Sequence, residues 1–94
     1  RSEDPEDAAS ICRVLSEPNR IRIMRCLLQG PLCTEEIADY LDMSNSNTSR
    51  HACILCRSGL LDSEFRGKTR YFSVSPRAED IISSITASCL GRQE

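Results

Sequence analysis

The stretch Thr34-Glu35-Glu36-Ile37-Ala38-Asp39-Tyr40-Leu41-Asp42-Met43-Ser44-Asn45-Ser46-Asn47-Thr48-Ser49-Arg50-His51-Ala52-Cys53-Ile54-Leu55-Cys56-Arg57-Ser58-Gly59 decides the fold. It reads as two helices joined by a tight turn. Thr34 opens the first, where Glu35 and Glu36 suit the positive N-terminal end of the helix dipole, and Ile37, Ala38 and Leu41 face inward. Asp42-Met43 reverse the chain. Ser44 offers the side-chain oxygen that caps the second helix, 45–58, and Gly59 ends it. Two short helices connected this way form a helix-turn-helix unit. At about 100° per residue, Thr48, Ala52 and Leu55 share the core-facing stripe of the second helix, and Ser46, Arg50, Cys53 and Arg57 the opposite stripe.

Working outward from this unit, Ala8, Ile11, Cys12 and Leu15 recur at helical spacing and predict a first helix over 8–15, preceded by a polar, frayed segment 1–7. Ser16 is placed as the cap of a second helix, with Glu17-Pro18 in its first turn. Ile21, Ile23, Met24, Leu27 and Leu28 make that helix apolar on most sides, hence central, until Gly30-Pro31 stops it. After Gly59 the period falls to two. Residues 60–65 and 69–74 read as strands around an Arg66-Gly67-Lys68 turn, and Ser75-Pro76 open a last helix with Ile81, Ile82, Ile85 and Cys89 on one stripe. The order is α-α-α-α-β-β-α: mainly helical with a small β-hairpin, a winged helix-turn-helix expected to form one domain over residues 1–94.

Charge and side-chain chemistry point to nucleic acid. The chain carries a net charge of −2, yet residues 45–77 hold six basic residues against Asp62 and Glu64, a local +4. Such asymmetry marks an anion-binding face better than whole-chain charge does. Major-groove reading needs hydrogen-bonding side chains near a helix N-terminus, which Asn45, Ser46, Asn47, Ser49 and Arg50 supply, with Arg57 further along the same helix. The hairpin adds Arg66, Lys68 and Arg70 at its basic tip, suited to phosphate or an adjacent minor groove. The predicted partner is double-stranded operator DNA, and DNA binding requires no cofactor. The apolar stripes of the first and last helices need a cover, which a homodimer paired through those helices provides, the alternative being termini folded back onto one protomer's own core. No apolar run approaches the roughly 20 residues of a membrane span and no segment reads as a secretory signal, so the expected location is cytoplasmic. In that compartment the six cysteines are expected as reduced thiols rather than disulfides.

Several separated segments resemble the ArsR/SmtB family of metal-responsive bacterial and archaeal repressors. They are Leu15-Ser16-Glu17-Pro18-Asn19-Arg20-Ile21-Arg22-Ile23, Leu32-Cys33-Thr34-Glu35-Glu36-Ile37-Ala38, Met43-Ser44-Asn45-Ser46-Asn47-Thr48-Ser49-Arg50-His51, Leu55 through Gly59-Leu60, and Arg66-Gly67-Lys68-Thr69-Arg70-Tyr71-Phe72. The resemblance covers about residues 14–75. It implies a homodimer that releases operator DNA when an inducer binds. Two positions depart from the family pattern. Asp42 stands where Gly is usual, and Ala52-Cys53-Ile54-Leu55-Cys56 replaces a more usual Leu-x-x-Leu-Arg.

The inducer sites that the resemblance implies do not all fit. A Cys-x-Cys site at the start of the third helix is half present, since Cys33 is followed by Glu35. A site on the last helix built from Asp and His is absent, because residues 76–94 contain no His. A persulfide- or redox-responsive pair, Cys26 with Cys89, is an alternative in which Cys26 lies one position out of register. The preferred set is Cys53 and Cys56, one helical turn apart on one face and able to chelate a soft ion. Cys89 of the partner subunit is the first choice for a third ligand, with Cys33 and Cys12 as second choices. The corresponding inducers are As(III), Cd(II), Pb(II) or Zn(II). Cysteines of this kind also pack as plain core residues, and His51 reads as a helix-packing residue rather than a ligand. Two rival classes remain. A thiol oxidoreductase needs its Cys-x-x-Cys at a helix N-terminus, whereas Cys53 lies well inside one, so no enzyme is expected. A winged-helix protein-interaction module without a DNA role does not need the polar helix start or the +4 segment.

Overall fold

The computed structural model describes residues 5–81. Helix α1 spans Pro5–Leu15 and α2 Pro18–Leu27; strand β1 (Leu32–Cys33) leads into α3 (Thr34–Leu41) and α4 (Asn45–Arg57), and β2 (Leu61–Arg66) and β3 (Thr69–Val74) close the order. Residues 76–81 are helical. The expected last helix is therefore seen at its start, and Ile82, Ile85 and Cys89 lie outside the described residues. Helix α1 begins earlier than its apolar period suggests, so residues 5–7, expected to fray, are helical.

The α1–α2 junction corrects one capping assignment. Ser16 does not cap α2: its hydroxyl donates to the Arg13 carbonyl at 2.7 Å and so finishes α1. Glu17 is the N-cap of α2, its carboxylate accepting from the Asn19 amide at 3.4 Å, with Pro18 at the first helical position. Proline suits that position because its missing N–H would have no intrahelical partner there.

Both helices of the central unit end on the same backbone device. At the end of α3, the Met43 amide donates to Ala38 and the Asp42 amide to Asp39, at 2.9 and 3.4 Å. At the end of α4, Leu60 donates to Leu55 and Gly59 to Cys56, both at 3.0 Å. This paired pattern is a Schellman motif, which needs one left-handed residue. Gly59 supplies it at φ 80° without steric cost, whereas Asp42 occupies φ 59° despite its Cβ. Arg22 reinforces the first of these ends by donating to the Leu41 carbonyl at 2.7 Å, a cation placed at the negative end of a helix dipole.

The sheet has a third strand that the alternation of the sequence does not show. Its order is β1-β3-β2, with Leu32 opposite Phe72 and Cys33 opposite Tyr71. Two residues carry no detectable period, but they cover the free edge of β3 and tie the hairpin to the start of α3. In the hairpin itself Arg66 faces Thr69 across a two-residue turn. Gly67, at φ 65°, is the first of those two residues, which fits a type II′ turn.

The core gathers Ile23, Met24, Leu27, Ile37, Ala52, Leu55, Leu60, Leu61, Phe72 and Ala78. Leu60 and Leu61 follow directly from the end of α4, so the same turn that stops the helix delivers two core residues to the sheet. Ser75 then pins the final segment: its hydroxyl donates to the Gly59 carbonyl at 2.9 Å and accepts from the Ala78 amide at 3.2 Å. Thr48 is the exception in this interior, fully buried with no hydrogen-bond partner for its hydroxyl.

Two stability predictions come from these positions, each read from urea midpoints at one fixed protein concentration. Asp42→Gly stabilises by about 1 kcal/mol, since the left-handed conformation costs a Cβ-bearing residue roughly that much, and Asp42→Val destabilises. Thr48→Val, which keeps the shape and removes the orphan hydroxyl, stabilises by about 1 kcal/mol. A loss of stability in Asp42→Gly or in Thr48→Val contradicts the corresponding account.

Candidate nucleic-acid interface

Helix α4 is held by one side and bare on the other. Thr48, His51, Ala52 and Leu55 are buried, all but His51 fully. Asn45, Ser46, Arg50 and Arg57 are exposed, and Asn47, Ser49, Cys53 and Cys56 are half-buried at the margins. Ser44 caps the helix by accepting from the Asn47 amide at 3.1 Å. No acidic residue lies in the first turn, so the positive end of the dipole is left for an external anion, the arrangement that favours phosphate. The Asn47 side chain accepts from the Arg50 guanidinium at 2.6 Å. This contact holds Arg50 along the helix instead of leaving it to sweep freely, which lowers the ordering cost of binding.

A second anchor sets the tilt of α4. Arg20 on α2 donates from Nε to His51 Nδ1 at 3.1 Å and from Nη1 to the Val14 carbonyl at 3.2 Å. One guanidinium thus links the end of α1, the start of α2 and the middle of α4. Nδ1 accepts, so the imidazole is neutral with its proton on Nε2. Burial, then the charges of Arg50 and Arg20, push the His51 pKa below its ordinary value, with Glu17 opposing them. His51 therefore serves packing, as its sequence context implies.

In the wing, the basic side chains differ in availability. Lys68 is exposed at the turn. Arg66 lies over the Tyr71 ring at 4.9 Å, with its Nε 3.8 Å from the Glu64 carboxylate. An exposed pair of this kind is worth at most about 1 kcal/mol, so Arg66 can exchange Glu64 for a phosphate. Arg70 points inward. Its guanidinium lies 4.9 Å over the buried Phe72 ring, donates from Nε to Ser63 Oγ at 3.0 Å, and reaches Cys56 Sγ at 3.9 Å from Nη2. Ser63 was not singled out by the sequence, although strand alternation places it on the α4-facing side with Leu61 and opposite Phe72.

The thiols are dispersed. Cys53 and Cys56 sit one turn apart on α4 and are close enough for the charge of one to raise the pKa of the other. Burial is the main cause of the raised Cys56 pKa, partly offset by Arg70 and by a hydrogen bond with Ser63. Cys12 is exposed on α1 and Cys33 half-buried at the β1–α3 junction. Cys26, on α2, has its pKa raised by burial. Among the described residues no three His, Cys, Asp or Glu side chains converge to hold a metal ion. Of the expected inducer ligands, Cys53 and Cys56 lie one turn apart on α4, and the first-choice third, Cys89, lies outside the described residues. No helix among the described residues is long and apolar enough to cross a membrane.

Comparison with known proteins agrees with this geometry. The sequence model of bacterial regulatory proteins of the arsR family matches residues 17–63. The cadmium resistance transcriptional regulatory protein CadC of Listeria innocua is 32% identical over 72 residues, 76% of this chain and 60% of CadC. The arsenical resistance operon repressor of Escherichia coli is 34% identical over 65 residues, 68% of this chain and 56% of the repressor. The chain thus spans about three-fifths of the length of these curated relatives. Among solved structures, a homodimeric winged helix-turn-helix DNA-binding domain from Mycobacterium bovis superposes with a TM-score of 0.88 at 20% identity, over 95% of this chain and 83% of that one. Identity that low speaks for the fold, which is a winged helix-turn-helix.

The neutral, buried His51 predicts a pH dependence. Its folded-state pKa is lowered, so its contribution is fully present above the unfolded value of about 6.5 and is lost as pH falls through the folded value. Thermal unfolding between pH 7.5 and 5 should show the wild type losing stability faster than His51→Gln, whose amide oxygen can still accept from Arg20. Parallel losses in the two proteins contradict the assignment.

Proposed function

The chain belongs to the arsR family of bacterial regulatory proteins, and on that premise we propose that it is a sequence-specific DNA-binding transcriptional repressor. It acts as a homodimer paired through its first and last helices. It releases operator DNA when a thiophilic inducer, As(III) or a soft divalent ion such as Cd(II), Pb(II) or Zn(II), binds its cysteines. The observation that carries the DNA reading is the bare side of α4, polar and basic with an uncompensated positive end, beside a wing that carries Arg66 and Lys68. Asn45, Ser46, Asn47, Ser49, Arg50 and Arg57 meet the major groove, and Arg66 and Lys68 meet the flanking backbone, whereas Arg70, expected at the hairpin tip, is held against Phe72 and Ser63. Asn and Arg are the side chains that pair adenine and guanine in two-point contacts.

Cys53 and Cys56 supply the first two inducer ligands, and Cys89 of the partner subunit the third, with Cys33 or Cys12 as substitutes. Two thiols on one helical face suit soft cations. Their position supports a direct effect, because Cys53 lies one turn beyond Arg50 on the same stripe. Cys56 has a raised pKa, so an ion must displace its proton in order to bind, and occupancy should weaken as pH falls.

The test begins with selection of duplexes from a random-sequence pool by the reduced protein, followed by titration of the selected complex with arsenite, Cd(II), Zn(II) and Pb(II). A reproducible enriched sequence is expected, with release by at least one of these ions in wild type and loss of release in Cys53→Ser. Failure to enrich any sequence contradicts the repressor reading. Normal release from Cys53→Ser contradicts the placement of the ligands.

A further inference from the structure

Cys56 is where α4 and the wing touch through polar atoms. The sulfur lies 3.9 Å from Arg70 Nη2, with the Ser63 hydroxyl near enough to favour its thiolate. Ser63 Oγ accepts from Arg70 Nε at 3.0 Å. Ser63 is on β2 and Arg70 on β3, so the three side chains close a small circuit between helix and hairpin. Strand register explains why: Ser63 faces Phe72 and Phe65 faces Arg70, and alternation turns Ser63, Arg70 and Phe72 to the same side of the sheet. The Phe72 ring, 1% exposed, forms the floor on which the guanidinium rests.

We propose that Cys56, Ser63 and Arg70 form a latch that transmits occupancy of the Cys53–Cys56 thiolates to the wing. The proposal rests on the reading of those thiolates as inducer ligands. A bound soft ion takes the sulfur lone pairs that now face Arg70. It also brings an atom to about 2.3 Å from the sulfur, together with its remaining ligands, into the space beside the guanidinium. The charge of a divalent ion is largely offset by the two thiolates, so the displacement is one of space and lone pairs rather than of repulsion. An N–H contact to sulfur is weak and does not compete with a metal–thiolate bond.

Arg70 then loses its seat at the helix, and the hairpin loses the polar tie that sets its angle to α4. Arg66 and Lys68 move relative to Arg50 and Arg57, so one duplex can no longer satisfy both groups. Coupling of this kind is a property of the ratio of DNA affinities with and without the ion. It can therefore be measured even in a variant whose intrinsic DNA affinity has changed.

The experiment uses the reduced full chain, Cd(II) as probe and a duplex selected by the wild type. Two readouts are followed, thiolate-to-Cd(II) charge-transfer absorption for occupancy and the DNA dissociation constant with and without Cd(II) for coupling. In wild type the absorption appears and DNA binding weakens by about tenfold or more. In Arg70→Gln and in Ser63→Ala, which leaves every charge in place, the absorption is retained and the Cd(II)-dependent change falls below about threefold. Full coupling in both variants overturns the latch while leaving the thiolate site standing. Loss of the absorption in both variants also overturns it, by making Ser63 and Arg70 determinants of occupancy. Absence of the absorption in wild type overturns the site and the latch together.

Discussion

Helix α4 is seated by a single stripe, and every one of its groups placed to touch DNA depends on how firmly that stripe is held. Leu55 and Ala52 fill the core, and the Arg20–His51 bond fixes rotation about the helix axis, because a hydrogen bond is directional where apolar packing is not. The same guanidinium grips the last turn of α1 through Val14. If the family's pairing through the first and last helices holds here, the dimer surface and the DNA-facing helix are joined by one side chain. A shift at either should be felt at the other.

The bare stripe carries two kinds of chemistry in sequence. Its first half, Ser44 to Arg50, offers amides, hydroxyls and a guanidinium steadied by Asn47. Its second half offers Cys53, with Cys56 at the margin against the core and tied through Arg70 to the wing. A helix with this division does not need a distant sensor domain. On the proposed reading, the ion and the nucleic acid meet the same rigid element, and a helix moves as a body. That economy also imposes a conflict, since burial raises the Cys56 pKa and opposes the thiolate on which metal binding depends.

Much of this was legible in the residues before any coordinates, for physical reasons that also explain what was not. Long elements announce themselves because their apolar residues repeat: Thr48, Ala52 and Leu55 mark the inner side of α4, and all three are buried. The two-residue strand β1 repeats nothing, so it stayed invisible. Ser16 is the better N-cap by propensity, yet the Arg13 carbonyl takes its hydroxyl and Glu17 does the capping. Asp42 was legible as a departure at a position that wants glycine, and it does adopt the left-handed conformation. Arg70 is the instructive case. A basic residue near a turn suggests an outward tip, but its spacing of two from Phe72 puts both on the inner side of β3, and the cation then finds the ring, Ser63 and Cys56. The partners that decided its direction come from β2 and α4, and only the fold brings them together.

The claim on which the account stands is that the bare stripe of α4 reads DNA, with Arg50 at its centre. The most direct measurement is the equilibrium affinity of Arg50→Ala for a duplex selected by the wild type, at fixed salt and with thermal stability checked in parallel. The account predicts a loss of about 1–3 kcal/mol in binding, or roughly five- to 150-fold, together with relaxed preference at the base position that Arg50 contacts and an unchanged unfolding midpoint. An affinity equal to that of the wild type in a normally folded Arg50→Ala protein would contradict it.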